Sequence, residues 1–548
     1  MGVLILIGCF AYSAFQICTD QIDVEPGDGA KYVNSSLYMQ ADPLLAMTEL
    51  FNDASAAANA LIYAVAFGLG DKIPWHSPNP NAPALLCNLI ASYLVALLGW
   101  FYCKENHGPH SALLVVVFLL GNNFITAHSL NTFAEPFGAA FVLLAVLLSG
   151  TKERDARNPW IIASCLLIAS LFRHEYFFFG IYLAVPFIWK KQFRKAAPLV
   201  LLPPLYFLAK SVHQGINGSV ATEYQAWLDH PIIGSSGERV ADGFSIFSEV
   251  ISIDFIPFGG IIGSILLALG LWFAWQRRAS FPKSPLYLLL CHAASLLFLW
   301  ITGITPYVQH RYAAILEYLF PLVCAGVVVH LLNGAPGSKG LNAKSTRGAI
   351  VSKAIAAIGI LSVASLSLWA HRAEVYDVRF NRIPLPMLKA KQFFEGKIKS
   401  TDTVYFGYAS SWETYLQNHC YHQGRLGNSY AYSNEFFYGL APCALRDPLE
   451  RKETTTALHA TRHRDLIDMT SLSYLLLLNQ SEHATQNKFA MKRGASAISP
   501  FFRKDDKNKT LYYWDSPYIE KGSPLIFSKV FENEVFLIFQ RIISSTQS

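Results

Sequence analysis

Long apolar runs alternate with short polar loops over the first two thirds of the chain. Runs near the roughly 20 residues that cross a bilayer as a helix recur from the N-terminus to about residue 370. This pattern predicts about eleven transmembrane helices, at residues 2–19, 84–103, 111–129, 132–150, 158–173, 176–190, 196–212, 256–275, 285–303, 312–332 and 350–370. The apolar segment 54–70 is shorter and rich in Ala and Gly, so we interpret it as an interfacial or re-entrant helix.

From about residue 372 onward the pattern changes, and charged, polar and aromatic residues mix as they do in soluble domains. Residues 402–418 have the pattern of a strand followed by a helix, residues 472–479 that of a buried strand, and residues 526–542 that of two strands around a Glu-Asn-Glu turn. Alternation of strands with helical segments is typical of a small α/β domain. We therefore predict a transmembrane domain at 1–371, with a first outer loop at 20–83, and a separate α/β domain at 372–548.

The composition agrees with a polytopic α-helical membrane protein. Hydrophobic residues make up 52% of the 548 residues and charged residues 15%, against about 25% charged in soluble domains. The formal net charge of +6 is modest for a chain of this length. A nucleic-acid-binding protein needs a basic face on a soluble domain, so that class is excluded.

The basic loops predict the orientation in the membrane. Lys and Arg concentrate in four segments that fall on one side when eleven spans are counted, namely 151–157, 190–195, 276–283 and 337–353. Because such loops stay in the cytoplasm, we expect a cytoplasmic N-terminus and an extracytoplasmic C-terminal domain. The expected location is the bacterial inner membrane, or plasma membrane.

Ionisable residues at the outer ends of the predicted spans are the candidates for function, because such groups are costly at membrane depth and usually face a cavity or a partner. They occur in four places, which are the acidic loop with Asp20, Asp23, Glu25 and Asp28; Glu135 at the start of a span; Arg173, His174 and Glu175 in a tight turn; and His310, Arg311 and Tyr312 at the mouth of a later span. A carboxylate at a helix start can also be a simple dipole partner, and an arginine can extend to the interface.

Carboxylates and arginines converging at one membrane face match the needs of one reaction. A carboxylate can deprotonate an acceptor hydroxyl or amine, and arginines can bind a phosphate leaving group through paired charged hydrogen bonds. Both are required for glycosyl transfer from a phosphate-activated donor. Outside the cytoplasm such a donor is expected to be a sugar on a polyprenyl phosphate.

Three short motifs resemble the GT-C superfamily of membrane glycosyltransferases, in the branch of the protein O-mannosyltransferases and lipid A aminoarabinose transferases. DGAKY at 28–32 is similar to the family's D-E-x-R-Y motif after the first span, with Gly29 in place of Glu and Lys31 in place of Arg. EPF at 135–137 resembles an acidic D-P-F element. HRY at 310–312, followed by Pro321, resembles an E-R-Y element. The likeness covers about residues 1–335.

The resemblance implies a role for each matching residue. Asp28 would be the catalytic base, with Glu135 organising the same cavity. The donor phosphate would be bound by Arg173, Arg311 and Lys31. The supporting residues would be Tyr32, His174, Glu175, His310 and Tyr312. No metal ligands are assigned, because Gly29 removes one family acid, although a divalent metal stays open since some distant GT-C enzymes use one. The expected partners are a polyprenyl-phosphate sugar donor, an extracytoplasmic acceptor and membrane lipids, with no nucleic acid.

Two other functions remain open on the sequence. A transporter or lipid-carrier flippase would use the same charged groups to bind a moving substrate, but transporters usually show inverted repeats with broken helices. No such repeat is evident here. A non-catalytic protein that retains the fold would explain the departures at Gly29 and His310.

Overall fold

The structure is a computed structural model, and it describes the following parts of the 548-residue chain: residues 2–19, 32–33, 36, 39, 54–70, 79, 81–122, 125, 128–149, 158–205, 208, 267–272, 284–301, 313–333, 389, 393, 397, 403–406, 442–444, 472–478, 502–504, 511–514, 525–533 and 536–542. The chain divides into two compact units. One combines residues 1–22 with 85–379, and the other combines residues 23–84 with 380–548.

The first unit is helical in its described part. The helices of the chain are α1 (Gly2–Cys18), α2 (Ala54–Gly70), α3 (Ala82–His107), α4 (Pro109–Leu120), α5 (Glu135–Ser149), α6 (Pro159–Phe172), α7 (Phe178–Trp189), α8 (Phe193–Leu201), α9 (Pro285–Ile301) and α10 (Ala314–Asn333). A 3-10 turn, His174–Phe177, joins α6 to α7. Of these helices, α2 and the first residues of α3 belong to the second unit.

Local sequence explains where several helices begin. Proline stands at the start of α4, α6 and α9, where its missing N–H would in any case have no helical partner. Asn158 caps α6, since its side-chain oxygen accepts a hydrogen bond from Trp160 N at 3.0 Å. Gly108 has a φ of 91°, which lets the chain turn sharply between α3 and α4.

Helix packing in the first unit depends on apolar side chains and on close backbone approach. Helix α5 packs against α6 and α10, α4 packs against α10, and α7 packs against α8 and α9. The buried side chains at these contacts are mainly Leu, Val, Ala and Phe. Small residues let membrane helices approach closely, and Gly180 does so here, because an added Cβ would overlap the backbone oxygen of Leu199 on α8.

Most predicted spans coincide with described helices. Nine of the eleven overlap α1 and α3–α10, and residues 267–272 of the predicted span 256–275 are helical. The predicted span 350–370 lies outside the described residues. Among the described helices, α3 alone is long and apolar enough to cross a membrane by length and composition, and the other apolar helices are shorter. The count of eleven spans therefore stays a prediction.

The second unit contains a seven-stranded sheet in its described part. The strands are β1 (Thr403–Phe406), β2 (Pro442–Ala444), β3 (Leu472–Leu478), β4 (Phe502–Lys504), β5 (Leu511–Trp514), β6 (Leu525–Glu532) and β7 (Phe536–Arg541). Their order is β2-β1-β3-β7-β6-β5-β4. The pair β1 and β3 is parallel and the other neighbours are antiparallel.

The strands agree with the sequence pattern where they are described. β3 coincides with the predicted buried strand, and β6 and β7 are the two antiparallel strands predicted on either side of the Glu-Asn-Glu turn, with Glu532 as the last residue of β6. Phe527, Ile538 and Phe539 are buried, and because Ile538 and Phe539 are adjacent on β7 and point to opposite faces, this strand is covered on both faces. The helix predicted after the first strand lies outside the described residues, so the α/β class and the domain boundary at 371/372 stay predictions.

Candidate functional site

Arg173 lies between two buried carboxylates. Its Nη1 is 3.4 Å from Oε1 of Glu135, and its Nε donates to Oε1 of Glu175 at 2.8 Å. Its Nη2 is also 2.8 Å from the same Glu175 oxygen. All three side chains are buried. We call these three residues the Arg173 cluster, which holds two carboxylates and one guanidinium and so has a formal charge of −1.

The elements around the cluster explain how residues 38 positions apart in sequence meet. Glu135 is the first residue of α5 and is followed by Pro136, and Arg173 directly follows the last residue of α6. The two helices pack against each other, and their ends meet at the ion pair, so they run antiparallel. A carboxylate in the first helical turn also interacts favourably with the helix dipole.

The turn after α6 brings the second carboxylate to the same place. Arg173 has an extended backbone, with φ −144° and ψ 111°, which ends α6. Its carbonyl then accepts a hydrogen bond from Tyr176 N at 3.0 Å, closing the 3-10 turn that contains Glu175. Arg173 and Glu175 are thereby fixed two residues apart with their side chains in contact.

Gly138 allows this turn to approach α5. A Cβ built on Gly138 would lie 2.4 Å from Cε2 of Tyr176 and 2.8 Å from its Cδ2. Such distances are far inside van der Waals contact, so the Tyr176 ring occupies the space that any other residue at 138 would need. Because Gly138 is one turn after Glu135, this packing holds the neighbour of Glu175 directly against the helix that carries Glu135.

A further buried carboxylate, Glu317, lies in the first turn of α10. Its Oε2 accepts a hydrogen bond from Nδ2 of Asn122 at 3.0 Å, and Oδ1 of Asn122 accepts from Ile125 N at 3.0 Å. The next residue, Tyr318, is fully buried, and its hydroxyl has no hydrogen-bond partner among the described residues. Tyr318 lies within electrostatic range of both Glu135 and Glu317.

His292 on α9 is also fully buried near the Arg173 cluster. Neither ring nitrogen has a hydrogen-bond partner in the described part of the chain. Its ring centroid is 4.9 Å from that of Phe179, 6.2 Å from that of Tyr182 and 6.4 Å from that of Tyr176. The imidazole therefore sits among aromatic rings, within electrostatic range of Glu175.

The structure brings together three of the predicted site residues, namely Glu135, Arg173 and Glu175. Tyr32 is buried, and the backbone of His174 lies in the 3-10 turn. The other predicted site residues, Asp28, Lys31, His310, Arg311 and Tyr312, lie outside the described residues. Their roles, and those of the three clustered residues, stay predictions.

Sequence reasoning missed Asn122, Glu317, Tyr318 and His292. A signal was present for two of them, because Glu317 and His292 are ionisable residues inside otherwise apolar runs, where such residues are rare. Asn122 and Tyr318 carried no comparable signal, since neutral polar side chains are common in membrane helices.

A divalent metal ion in a protein is usually held by several His, Cys, Asp or Glu side chains. No group of three or more His, Cys, Asp or Glu residues in this part of the chain is placed to hold one. The carboxylates of the Arg173 cluster are instead turned toward a guanidinium. Asp28 lies outside the described residues, so the question of a metal beside it stays open to experiment.

Comparison with known proteins rests on structure. No family model matches the chain, and no curated protein matches it in sequence. The chain is similar to the crystal structure of apo ArnT from Cupriavidus metallidurans, with 12% identity and a TM-score of 0.55 over 98% of this chain and 97% of that one. It is also similar to ArnT from the same organism bound to undecaprenyl phosphate, with 11% identity and a TM-score of 0.56 over 99% and 98% of the two chains.

The chain is more weakly similar to the archaeal oligosaccharyltransferase AglB from Archaeoglobus fulgidus, in complex with an inhibitory peptide and a dolichol-phosphate. The identity is 10% and the TM-score 0.43, over 95% of this chain and 75% of the other. This likeness is too weak to bear on the fold. ArnT, a lipid A aminoarabinose transferase, is a polytopic membrane protein of the GT-C superfamily. The likeness to ArnT shows that this chain shares the fold of ArnT over almost its whole length, which is the fold expected from the three sequence motifs.

Proposed function

We propose that the chain is a membrane glycosyltransferase that moves a sugar from a polyprenyl-phosphate donor to an extracytoplasmic acceptor, which is a glycolipid, a polysaccharide or a protein. The observation that carries the proposal is the likeness to ArnT over almost the full length of both chains, including a structure of ArnT bound to undecaprenyl phosphate. The buried Arg173 cluster supports it, because acids and an arginine meet at the outer end of predicted spans.

In the proposed reaction Asp28 accepts the proton of the acceptor hydroxyl or amine. The acceptor oxygen or nitrogen then forms a bond to the anomeric carbon of the donor sugar, and the bond from that carbon to the phosphate oxygen breaks. The leaving group is the polyprenyl phosphate, which keeps the bonding electron pair. Its developing negative charge is stabilised by Lys31 and Arg311 through charge-assisted hydrogen bonds.

Glu135 and Arg173 have linked roles in this proposal. A buried carboxylate is kept in one orientation only if a partner fixes it, and Arg173 supplies that partner at 3.4 Å. Glu135 then organises the cavity wall. A contact of Arg173 with the donor phosphate would come in addition to its two carboxylate partners, and the formal charge of −1 on the cluster makes Lys31 and Arg311 the stronger candidates for the main phosphate ligands.

The proposed orientation follows from the basic loops. The N-terminus faces the cytoplasm of a bacterial inner membrane, or of a plasma membrane, and the domain at 372–548 faces the outside. Transfer then takes place on the outer face, where lipid-linked sugars replace nucleotide sugars as donors.

Transfer of a labelled sugar tests the proposal. The purified protein in lipid nanodiscs would be incubated with undecaprenyl phosphate carrying a radiolabelled sugar, taken from a panel of neutral sugars, and with envelope lipids, polysaccharide and protein as acceptors. We expect transfer to one acceptor class, its loss in Asp28→Asn, and near-normal transfer in Asp20→Asn, a matched carboxylate in the same loop. Near-normal transfer by Asp28→Asn would show that Asp28 is not the catalytic base.

The same protein in sealed vesicles separates the transferase from a transporter or flippase. Movement of a sugar or of its lipid carrier across the membrane, without any glycosylated product from the whole panel, would contradict the proposed function.

A further inference from the structure

An exposed corner between α7 and α8 combines cations with aromatic side chains. Its residues, which we call the basic corner, are Trp189, Lys190, Lys191, Phe193, Arg194 and Lys195. All four cations are exposed, and Trp189 and Phe193 are 78% and 62% exposed. Large apolar rings left uncovered beside charges usually mark an interaction surface.

The positive charge of the basic corner is not balanced by nearby acids. No Asp or Glu occurs from residue 176 to residue 222. Within the part of the chain that the structure describes, Lys191, Arg194 and Lys195 form no ion pair. These cations are therefore available to an anion from outside the protein.

Lys191 has a backbone conformation that favours glycine. Its φ is 58°, and among the described residues it is the one non-glycine residue with a positive φ. Its N–H donates to the carbonyl of Ile188 at 2.9 Å, and the N–H of Gln192 donates to that of Phe187 at 2.8 Å. These two bonds form the Schellman motif that ends α7, in which the left-handed residue is usually glycine. Since a side chain is disfavoured there, folding alone does not explain a lysine at this position.

The apolar surroundings of the basic corner are those of a membrane surface. Ile181 and Ile188 on α7 are exposed, and so is Leu201, eight positions after Phe193 on α8. Residues seven or eight positions apart lie on one face of a helix, so each helix continues the exposed apolar surface away from the corner. Aromatic rings beside Lys and Arg are typical of the boundary between the apolar interior of a membrane and its headgroups.

The charges restrict which headgroup fits the basic corner. Ammonium and guanidinium groups donate charge-assisted hydrogen bonds to phosphate oxygens. A zwitterionic headgroup carries its own ammonium, which offsets this attraction, whereas an anionic headgroup keeps its net negative charge. Residues 190–195 also belong to a loop predicted to face the cytoplasm, where basic segments next to membrane helices bind anionic lipids.

We propose that the basic corner binds the headgroup of an anionic phospholipid. Lys191 and its neighbouring cations contact the phosphate, and Trp189 and Phe193 lie against the start of the acyl chains. The site is at the opposite end of α7 from the turn that contains Glu175, so it is separate from the Arg173 cluster. Lipid binding at the corner does not depend on the proposed sugar transfer.

Binding of two lipids tests the proposed site. The purified full-length protein in a neutral detergent would be titrated with phosphatidylglycerol and, separately, with phosphatidylcholine of the same acyl chains, and bound lipid would be counted by native mass spectrometry. We expect the wild type to bind phosphatidylglycerol more tightly. Lys191→Gly should weaken phosphatidylglycerol binding about fivefold, the usual contribution of one cation at an anionic surface, and should change phosphatidylcholine binding much less. Lys191→Arg, which keeps the charge, should bind as the wild type does.

Lys191→Gly also separates lipid binding from folding. Because glycine suits a φ of 58°, the midpoint of thermal unfolding in detergent without lipid should be equal to that of the wild type or higher. A lower midpoint would show that the lysine serves the fold, and it would overturn the assignment of Lys191 as a lipid ligand.

Lys104→Gln is the matched control. Lys104, in the last turn of α3, is also an exposed lysine beside an aromatic ring, with its Nζ 4.6 Å from the ring centroid of Trp100. It differs from Lys191 because an acid, Glu105, follows it directly. This variant removes the same charge and should bind both lipids as the wild type does. An equal loss in Lys104→Gln and Lys191→Gly, an equal loss for the two lipids in Lys191→Gly, or no loss at all would overturn the proposal.

Soluble anions test other ligands of the same charge. Glycerol phosphate and polyglutamate, at the concentration of the lipid, should not displace bound phosphatidylglycerol, because neither has acyl chains to lie against Trp189 and Phe193. Displacement by glycerol phosphate would assign the basic corner to a free phosphate, and displacement by polyglutamate would assign it to an acidic protein. Either result overturns the assignment to a lipid.

Discussion

The Arg173 cluster and the Lys529–Glu532 pair are both contacts between opposite charges, but they lie in different surroundings. Arg173 and Glu135 have side-chain exposures of 6% and 2%, whereas Lys529 and Glu532, on strand β6, have exposures of 36% and 49%. Around the exposed pair water screens the charges, and such pairs contribute about 0–1 kcal/mol. Around the buried cluster screening is weak, and the loss of one partner leaves an uncompensated charge.

The difference shows that burial, more than the contact itself, sets the effect of a charged pair. In the sheet unit either residue of the pair can change with little consequence. In the helical unit Arg173 compensates two carboxylates that could not otherwise remain ionised in an apolar interior. Four substitutions test this comparison, from the largest expected effect to the smallest.

Arg173→Met should destabilise the helical unit most. It removes the guanidinium from between Glu135 and Glu175 and leaves both carboxylates buried, and breaking a buried pair in this way costs about 3–5 kcal/mol. We expect a large fall in the midpoint of thermal unfolding in detergent, measured by fluorescence-detected size exclusion. Arg194→Met, at an exposed position on α8, is the control and should leave the midpoint nearly unchanged. Similar midpoints for both variants would contradict the comparison.

Gly138→Ala should have the next largest effect. The new Cβ would stand 2.4 Å from the Tyr176 ring, and overpacking of this kind costs about 1–3 kcal/mol. Because Tyr176 follows Glu175, the variant should also weaken the ion pairs of the Arg173 cluster. The control is Gly8→Ala on α1, where an added Cβ meets nothing within 4 Å. A thermal midpoint for Gly138→Ala equal to that of the control would show that Tyr176 does not depend on the space at Gly138.

Asn122→Ala should have a moderate effect. It removes the amide that donates to Glu317 at 3.0 Å, and a hydrogen bond to a charged group contributes about 1.5–3 kcal/mol. Part of this loss is recovered if water enters the space left by the side chain. The same unfolding measurement checks the effect, and the double variant with Glu317→Gln should lose less than the sum of the single variants. Full additivity would mean that the two side chains do not interact.

Lys529→Ala should have the smallest effect. The exposed pair with Glu532 contributes at most about 0.5–1 kcal/mol, and strand β6 remains paired with β5 and β7. Hydrogen–deuterium exchange of peptides covering residues 525–541 should be unchanged within error. Increased exchange throughout β6 would mean that this surface pair matters more than its exposure indicates.

The lengths of the apolar runs predicted most of the described helices, because such a run is a local property of the chain. The predicted spans 132–150 and 158–173 correspond to α5 and α6 within a few residues. The strands β3, β6 and β7 were also predictable, since runs of apolar and aromatic residues bounded by turn residues are local signals.

The contacts of the site were predictable only in part. Glu135, Arg173 and Glu175 could be selected because charged residues at the ends of apolar runs are unusual. Their pairing depends on how α5 and α6 pack, which no local signal contains. The contact of Glu317 with Asn122 joins residues 195 positions apart. It follows from the packing of α4 and α10, and the sequence alone does not indicate which helices are neighbours.

The ion pair between Glu135 and Arg173 also depends on α5 and α6 having nearly the same length. Helix α5 has 15 residues and α6 has 14, so at about 1.5 Å per residue each spans about 21–23 Å, and the hairpin returns the chain to the level at which it began. One residue inserted within either helix would rotate everything beyond it by about 100° and separate the charges. An insertion between the two helices leaves both registers intact. The ion pair therefore tolerates changes in the length of the connection between α5 and α6, but it is lost when the length of either helix changes.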